Sequence, residues 1–397
     1  MGLHCTARRV AVALLLGIST QLIAAPFTPA SDSEVVERLP LATDPSARRV
    51  ESLRRQLAAK PADNALRIEV ARQYFELAMA QGDPRLVGYA AATIAPMAPT
   101  AADNSDYWFI QGLIQQYSHN FEGSLQSLAK AAQLNPAATG PLSWRSAVLM
   151  VQARYPEALA ECERLAPLAE PLLVLGCRTF VKATTGELRA SFEAMQQALK
   201  DTRNASPELL LWLYTRLGEM AMRLPQPDVA EDFFTKALKL GLTDQYLLGA
   251  HADLLMARQR PAEVIQLLER WERSDVLLLR LALAGKAIQH PKARDWAAQL
   301  RDRFAAAALR GDRLHEQEAA RFALDVEGNP SQALLLATNN YQIQKEPRDA
   351  EILMRAALAA DKAAAAAPAL EWLQTSRYED PAMAALAAQL RSKGAKP

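Results

Sequence analysis

The chain has 397 residues, half of them hydrophobic but only 6% aromatic, and a formal charge of +1. That balance suits close helix packing and disfavours a sheet-rich fold. The near-zero charge does not advertise the broad basic face that nucleic-acid binding needs, so no nucleic-acid partner is expected.

Residues 1 to about 25 read as a secretory signal peptide: Arg8 and Arg9, an apolar run from Val10 to Ile18, and a small-residue exit at Ala24-Ala25. The run is too short for a comfortable membrane span. The processed protein is therefore expected to be exported to the periplasm or cell envelope, to begin at Ala25 or Pro26, and not to span a membrane. Loss of Arg8 and Arg9 takes the formal charge from +1 to −1. Cys5 leaves with the signal, and the absence of a cysteine at the cleavage region argues against a lipoprotein anchor.

Residues 26–44 are rich in Pro, Ser, Thr and Asp and predict an extended lead-in. An irregular first helical unit follows over about 45–95, with helices predicted at 45–59, 64–80 and 85–94. The clearest repeats run over 105–273, interrupted by an insertion from Thr202 to Pro207. A degenerate unit occupies about 275–310, where Trp296, Leu300 and Phe304 still mark one helical face. Further repeats cover 311–375, and a capping helix is predicted over 381–391, with Pro381 in its first turn.

A step of 34 residues links Gly112 to Ser146, Ser124 to Ala158, Gly218 to Ala252, Ala230 to Val264, Arg321 to Arg355 and Ala333 to Ala367. Within one unit the pattern is Trp108, Gly112, Ser124, Leu128, Ala131, Pro136; Tyr214, Leu217, Gly218, Ala230, Phe234 and Ala237 repeat it, as do Leu142, Ser146, Leu149, Tyr155, Ala158 and Cys162. The chain resembles the tetratricopeptide repeat family in period and in this succession of aromatic, small and bulky residues. Gln115 and Ala221 stand where the family usually has an aromatic, and His119-Asn120 or Pro225 occupies the turn between paired helices. The resemblance spans roughly residues 45 to 375. It implies an all-α, right-handed superhelix of antiparallel helix pairs, an α-solenoid, with small residues where helices cross. It also places Cys162 and Cys177 on neighbouring helices, which leaves open a disulfide or two buried thiols.

Motifs of catalysis are missing: there is no nucleophile elbow, phosphate-cradling loop or zinc-binding histidine pair. His119, His251 and His290 are too dispersed for a metal site. No cofactor, no metal and no enzymatic activity is expected. The resemblance implies instead a concave groove lined by each first helix: Phe109, Leu113 and Tyr117, then Met150, Phe180, Trp212, Glu219, Met222, Arg223, Tyr246, Asp253 and Met256. The lysine and asparagine pattern with which some family members hold a C-terminal carboxylate is absent. Aromatics and methionines at such a groove suit a peptide segment of another protein, so a scaffold, adaptor or assembly factor is expected. The alternative is a small-ligand carrier or enzyme whose cavity the helices enclose.

Overall fold

A computed structural model of the chain describes residue 31 and residues 45–202 and 204–394. The chain divides into residues 1–44 and an array from Pro45 onward. The expected signal peptide and almost all of the expected lead-in lie outside the described residues.

The described chain is 78% helical, with 20 α-helices and no strand among the described residues. Pro45–Ala59 (α1), Asn64–Gln81 (α2) and Pro84–Ile94 (α3) open the array. Six helix pairs follow: Ser105–Tyr117 with Phe121–Leu134 (α4, α5), Thr139–Val151 with Tyr155–Leu165 (α6, α7), Pro171–Thr184 with Leu188–Asp201 (α8, α9), Pro207–Arg223 with Pro227–Leu238 (α10, α11), Gln245–Ala257 with Pro261–Leu268 (α12, α13), and Asp275–Ala287 with Ala293–Leu309 (α14, α15). Glu316–Arg321 (α16) runs into a π-helical turn at Phe322–Val326 and packs on Pro330–Tyr341 (α17). Pro347–Ala359 (α18), Ala367–Ser376 (α19) and Pro381–Gly394 (α20) complete the chain.

Helix ends follow from local chemistry. Asp63, Asn104, Ser206, Asp244 and Ser274 each accept a backbone N–H of the first turn with a side-chain oxygen. Proline occupies the first turn of α3, α7, α8, α10, α11, α13, α17 and α18, where its missing donor costs nothing. Small residues then let paired helices approach. Ser124 Oγ donates to the Gly112 carbonyl at 2.8 Å, and a Cβ at Gly112 would lie 2.7 Å from Leu128 Cγ. Ser146 Oγ donates to the Ala158 carbonyl at 3.1 Å at the equivalent crossing of the next pair. In the degenerate unit the crossing persists, with Trp296 against Gly285.

Cys162 of α7 and Cys177 of α8 form a disulfide with a Cα separation of 5.6 Å. Of the two readings left open by the sequence, the structure takes the bridge.

The array also makes contacts that the repeat pattern does not contain. Gly82, in the left-handed conformation at φ 69°, ends α2 beneath the Gln245 side chain of α12, where any Cβ would collide. The C-terminal helices pack back on the middle of the array. Lys345 N donates to the Val151 carbonyl at 2.8 Å, Gln344 Nε2 lies 2.7 Å from His119 Nε2, and Leu188 N donates to Glu379 Oε2 at 2.6 Å.

A partly covered chamber on the concave face

The first helices of the middle repeats and the returning C-terminal helices border a half-open cavity of about 760 Å³. Eight of the twelve residues expected at the groove line it: Met150, Phe180, Glu219, Met222, Arg223, Tyr246, Asp253 and Met256. They come from α6, α8, α10 and α12, whose inner faces repeat along the array. The concave groove is partly covered. Its cover comprises residues of α16, α18 and α20 with the segments before α18 and α20, among them Arg321, Arg348, Glu351, Tyr378 and Met383.

Four expected groove residues stand elsewhere. Leu113 is 4% exposed and belongs to the N-terminal core with Phe75 and Ile110, because α2 lies directly against α4. Phe109 packs between α4 and α6, its ring against Gly140. Trp212 fills the space between α8 and α10 against Gly176 and meets Phe180 edge-on at 6.3 Å. Tyr117 is half-buried in the N-terminal core; burial raises its phenol pKa above the ordinary value, and Asp83 and Asp275 add to the shift.

Two polar systems organise the chamber. In the first, the Arg216 guanidinium lies 4.9 Å from the Phe180 ring centre and 4.4 Å from that of Tyr246. Arg216 pairs with Glu219 at 2.8 Å, and the Tyr246 hydroxyl donates to the same carboxylate at 2.5 Å. Burial pushes the Tyr246 phenol up to about 12. Arg348, from the cover, places its guanidinium 4.7 Å from the Tyr246 ring centre.

The second system is a ladder of alternating charges. Asp253 accepts from Arg280 Nη2 at 2.6 Å and from Arg321 Nη2 at 3.0 Å, joining α12 and α14 to α16. Arg321 lies 3.7 Å from Asp325, which accepts from Arg355 Nη2 of α18 at 2.6 Å. Burial alone would raise the Asp253 pKa, but the arginines on either side hold it well below the usual carboxylate range. At the far edge Arg223 Nε donates to the Glu379 carbonyl at 3.0 Å, and its guanidinium stands 3.8 Å from the Tyr378 ring centre.

Sequence reasoning missed Arg216, Arg280 and every residue of the cover. Arg216 was findable, since it shares a helical stripe with Trp212, Glu219 and Arg223. Arg348 and Tyr378 carry no such signal, because their place depends on the return of the C-terminal helices.

Among the described residues no group of three His, Cys, Asp or Glu side chains could hold a metal ion. His119 meets Gln344, His251 lies against Phe234, and His290 stacks on Trp296 with ring centres 5.0 Å apart. Among the same residues no helix is long and apolar enough to cross a membrane.

Helix pairs at a 34-residue step, with small residues at their crossings, define a tetratricopeptide-type solenoid. No family model and no curated protein matches the chain. Solved structures share the repeat. Pseudomonas aeruginosa PilF is 19% identical over 51% of this chain and 92% of its own, with a TM-score of 0.38. Yeast Tom70 is 14% identical over 88% and 85%, with a TM-score of 0.42. Human IFIT1, a dimer with PPP-AAAA, is 11% identical over 83% and 77%, with a TM-score of 0.47. In all three the TM-score lies below 0.5, so the likeness goes no further than the repeat.

Proposed function

We propose that the protein is an exported scaffold of the bacterial cell envelope that holds a peptide segment of another protein in the chamber on its concave face. The observation that carries this reading is the convergence of Phe180, Met222, Tyr246 and Met256 with arginines and carboxylates on one chamber of about 760 Å³. That volume falls within the range of sites that bury most of a ligand. Aromatic and methionine side chains supply adaptable apolar contact, and fixed charges supply register. A protein is favoured over a nucleic acid because carboxylates alternate with the arginines around the wall. Export is supported by the charged, apolar and small-residue succession at the N-terminus and by the Cys162–Cys177 disulfide, which suits an oxidising compartment.

A photo-crosslinking residue at Met256, with exposed Leu335 as control, tests the partner. A protein adduct from the envelope fraction at Met256 and none at Leu335 is expected; the reverse pattern sinks the reading. N-terminal sequencing of the native protein should begin at Ala25 or Pro26, and retention of Met1 would overturn export. The covered chamber also favours a second reading, a small-ligand carrier. Native mass spectrometry of the purified chain separates the two, since a carrier retains a small-molecule adduct.

A further inference from the structure

We propose that the chamber recognises a carboxylate on the bound segment, through Arg223 and Arg348. The inference rests on the peptide-binding reading above and names the chemistry of the ligand.

Most of the chamber's arginines are neutralised within the protein. Arg216 has Glu219, Arg280 and Arg321 share Asp253, and Arg355 has Asp325. Arg223 and Arg348 differ. Arg223 has no carboxylate within ion-pair distance among the described residues. It donates only to the carbonyls of Ala183, at 2.5 Å, and Glu379, using Nη2 and Nε and leaving Nη1 unused. Arg348 makes no hydrogen bond among the described residues, and its nearest carboxylate oxygen is on Glu219 at 4.0 Å. That carboxylate is already taken by Arg216 and the Tyr246 hydroxyl.

Two of the remaining acids of the wall are engaged within the protein. Asp380 caps α20, accepting from Ala382 N at 2.8 Å and Met383 N at 3.0 Å. Asp349, behind the wall, accepts from Glu346 N at 2.9 Å and from Asn340 Nδ2 at 2.8 Å, and the Arg348 pKa is held high by Tyr246 and then by the opposite charges of Glu346 and Glu219. Glu351 lies 3.7 Å from Arg355. The wall therefore carries one cation with no carboxylate within ion-pair distance among the described residues, Arg223, and one, Arg348, held only by a long 4.0 Å pair to an already shared carboxylate; Arg216 Nε and Arg321 Nε are further donors buried without a hydrogen-bond partner.

Geometry makes these cations usable. Arg348 lines the chamber and keeps 35% of its side-chain area exposed. Tyr246 under Arg348 and Tyr378 under Arg223 hold the guanidiniums against ring faces and leave their edges for a planar, two-oxygen acceptor. Met222, Met256 and Phe180 supply the apolar wall for the residues beside it. Such a carboxylate is either an acidic side chain or the free end of a chain.

The test titrates the full mature chain calorimetrically with three tripeptides: acetyl-Leu-Asp-Leu-amide, acetyl-Leu-Asn-Leu with a free carboxylate, and neutral acetyl-Leu-Asn-Leu-amide. At least one charged peptide is expected to bind tenfold or more tighter than the neutral one. Which one does so identifies the source of the carboxylate. Arg348→Gln and Arg223→Gln should each remove that preference, while Arg294→Gln, at an exposed site, leaves it intact. Arg348→Lys, which keeps the charge and loses the fork, serves if Arg348→Gln does not fold, and should weaken the preference at least threefold. Equal binding of all three peptides overturns the carboxylate claim and leaves peptide binding standing. Binding of none at millimolar concentration overturns both.

Discussion

Trp372 Nε1 donates to the Tyr155 hydroxyl at 2.8 Å across 217 residues of sequence, and both side chains are buried. This bond joins α19 to the start of α7 and fixes the cover over the chamber. Trp372→Phe removes the donor and Tyr155→Phe the acceptor, leaving a partner unsatisfied in each case. Each change should cost about 1–3 kcal/mol in urea unfolding. The double variant should cost less than the sum, with a coupling of about 1 kcal/mol. Strict additivity would show that the bond contributes nothing to closure.

Asp253 bridges the groove to the cover by holding Arg280 and Arg321 together. Asp253→Asn leaves two largely buried guanidiniums without their carboxylate and should destabilise the protein by about 3 kcal/mol. The Asp253 pKa is depressed on folding, so its contribution is present above the unfolded value near 3.8 and is lost as pH falls through the lower folded value. Equal stability of variant and parent at pH 7 would remove Asp253 from this role.

His119 should make closure sensitive to mild acid. Burial lowers its pKa to about 4, opposed by Glu318 and Asp312 and aided by His315 and Arg313. Gln344 faces its Nε2 atom at 2.7 Å, and the neutral ring can accept there, whereas a protonated ring would oppose donor to donor. Between the unfolded value of about 6.5 and the folded value, only the unfolded chain takes the proton, so stability falls as pH falls by about 2 kcal/mol. His315, raised by its pairing with Glu318 against the effect of burial, acts in the opposite direction. The readout is therefore the difference from His119→Asn, which keeps a residue tolerant of φ 57° and does not titrate. Unfolding curves of parent and variant that stay parallel from pH 7 to 4.5 would contradict the assignment.

Two glycines should respond to alanine with opposite signs. Gly88, inside α3, has no neighbour within 4 Å of an added Cβ. Gly88→Ala should stabilise by about 0.5–1 kcal/mol through helix propensity. Gly218 faces the Phe234 ring, with Cζ 2.8 Å from the added atom, and Gly218→Ala should cost about 1–3 kcal/mol by overpacking. Thermal melts of both variants check the contrast, and a stabilised Gly218→Ala would mean that the crossing is looser than described.

The sequence by itself determined the repeat. Gly112 and Ser124, or Gly218 and Phe234, meet within one unit, and each crossing depends only on residues a few turns apart. Helix termini at Asp63, Asn104 and Asp244 were equally local, being matters of capping chemistry. The stripe formed by Glu219, Met222, Arg223, Tyr246, Asp253 and Met256 was legible for the same reason, because the inner face repeats with the helices. Tertiary structure decided where that face stops being a groove. Leu113 passed into the core because α2 covers α4, a relation outside the 34-residue pattern. The chamber depends on Gln344 reaching His119, Trp372 reaching Tyr155 and Glu379 reaching Leu188, at separations of 225, 217 and 191 residues. Such contacts arise from small rotations between successive repeats, summed along the array. No single repeat encodes that sum, and so the covering of the chamber, and the weakly paired Arg223 and Arg348 on its wall, emerge only when the whole chain is folded.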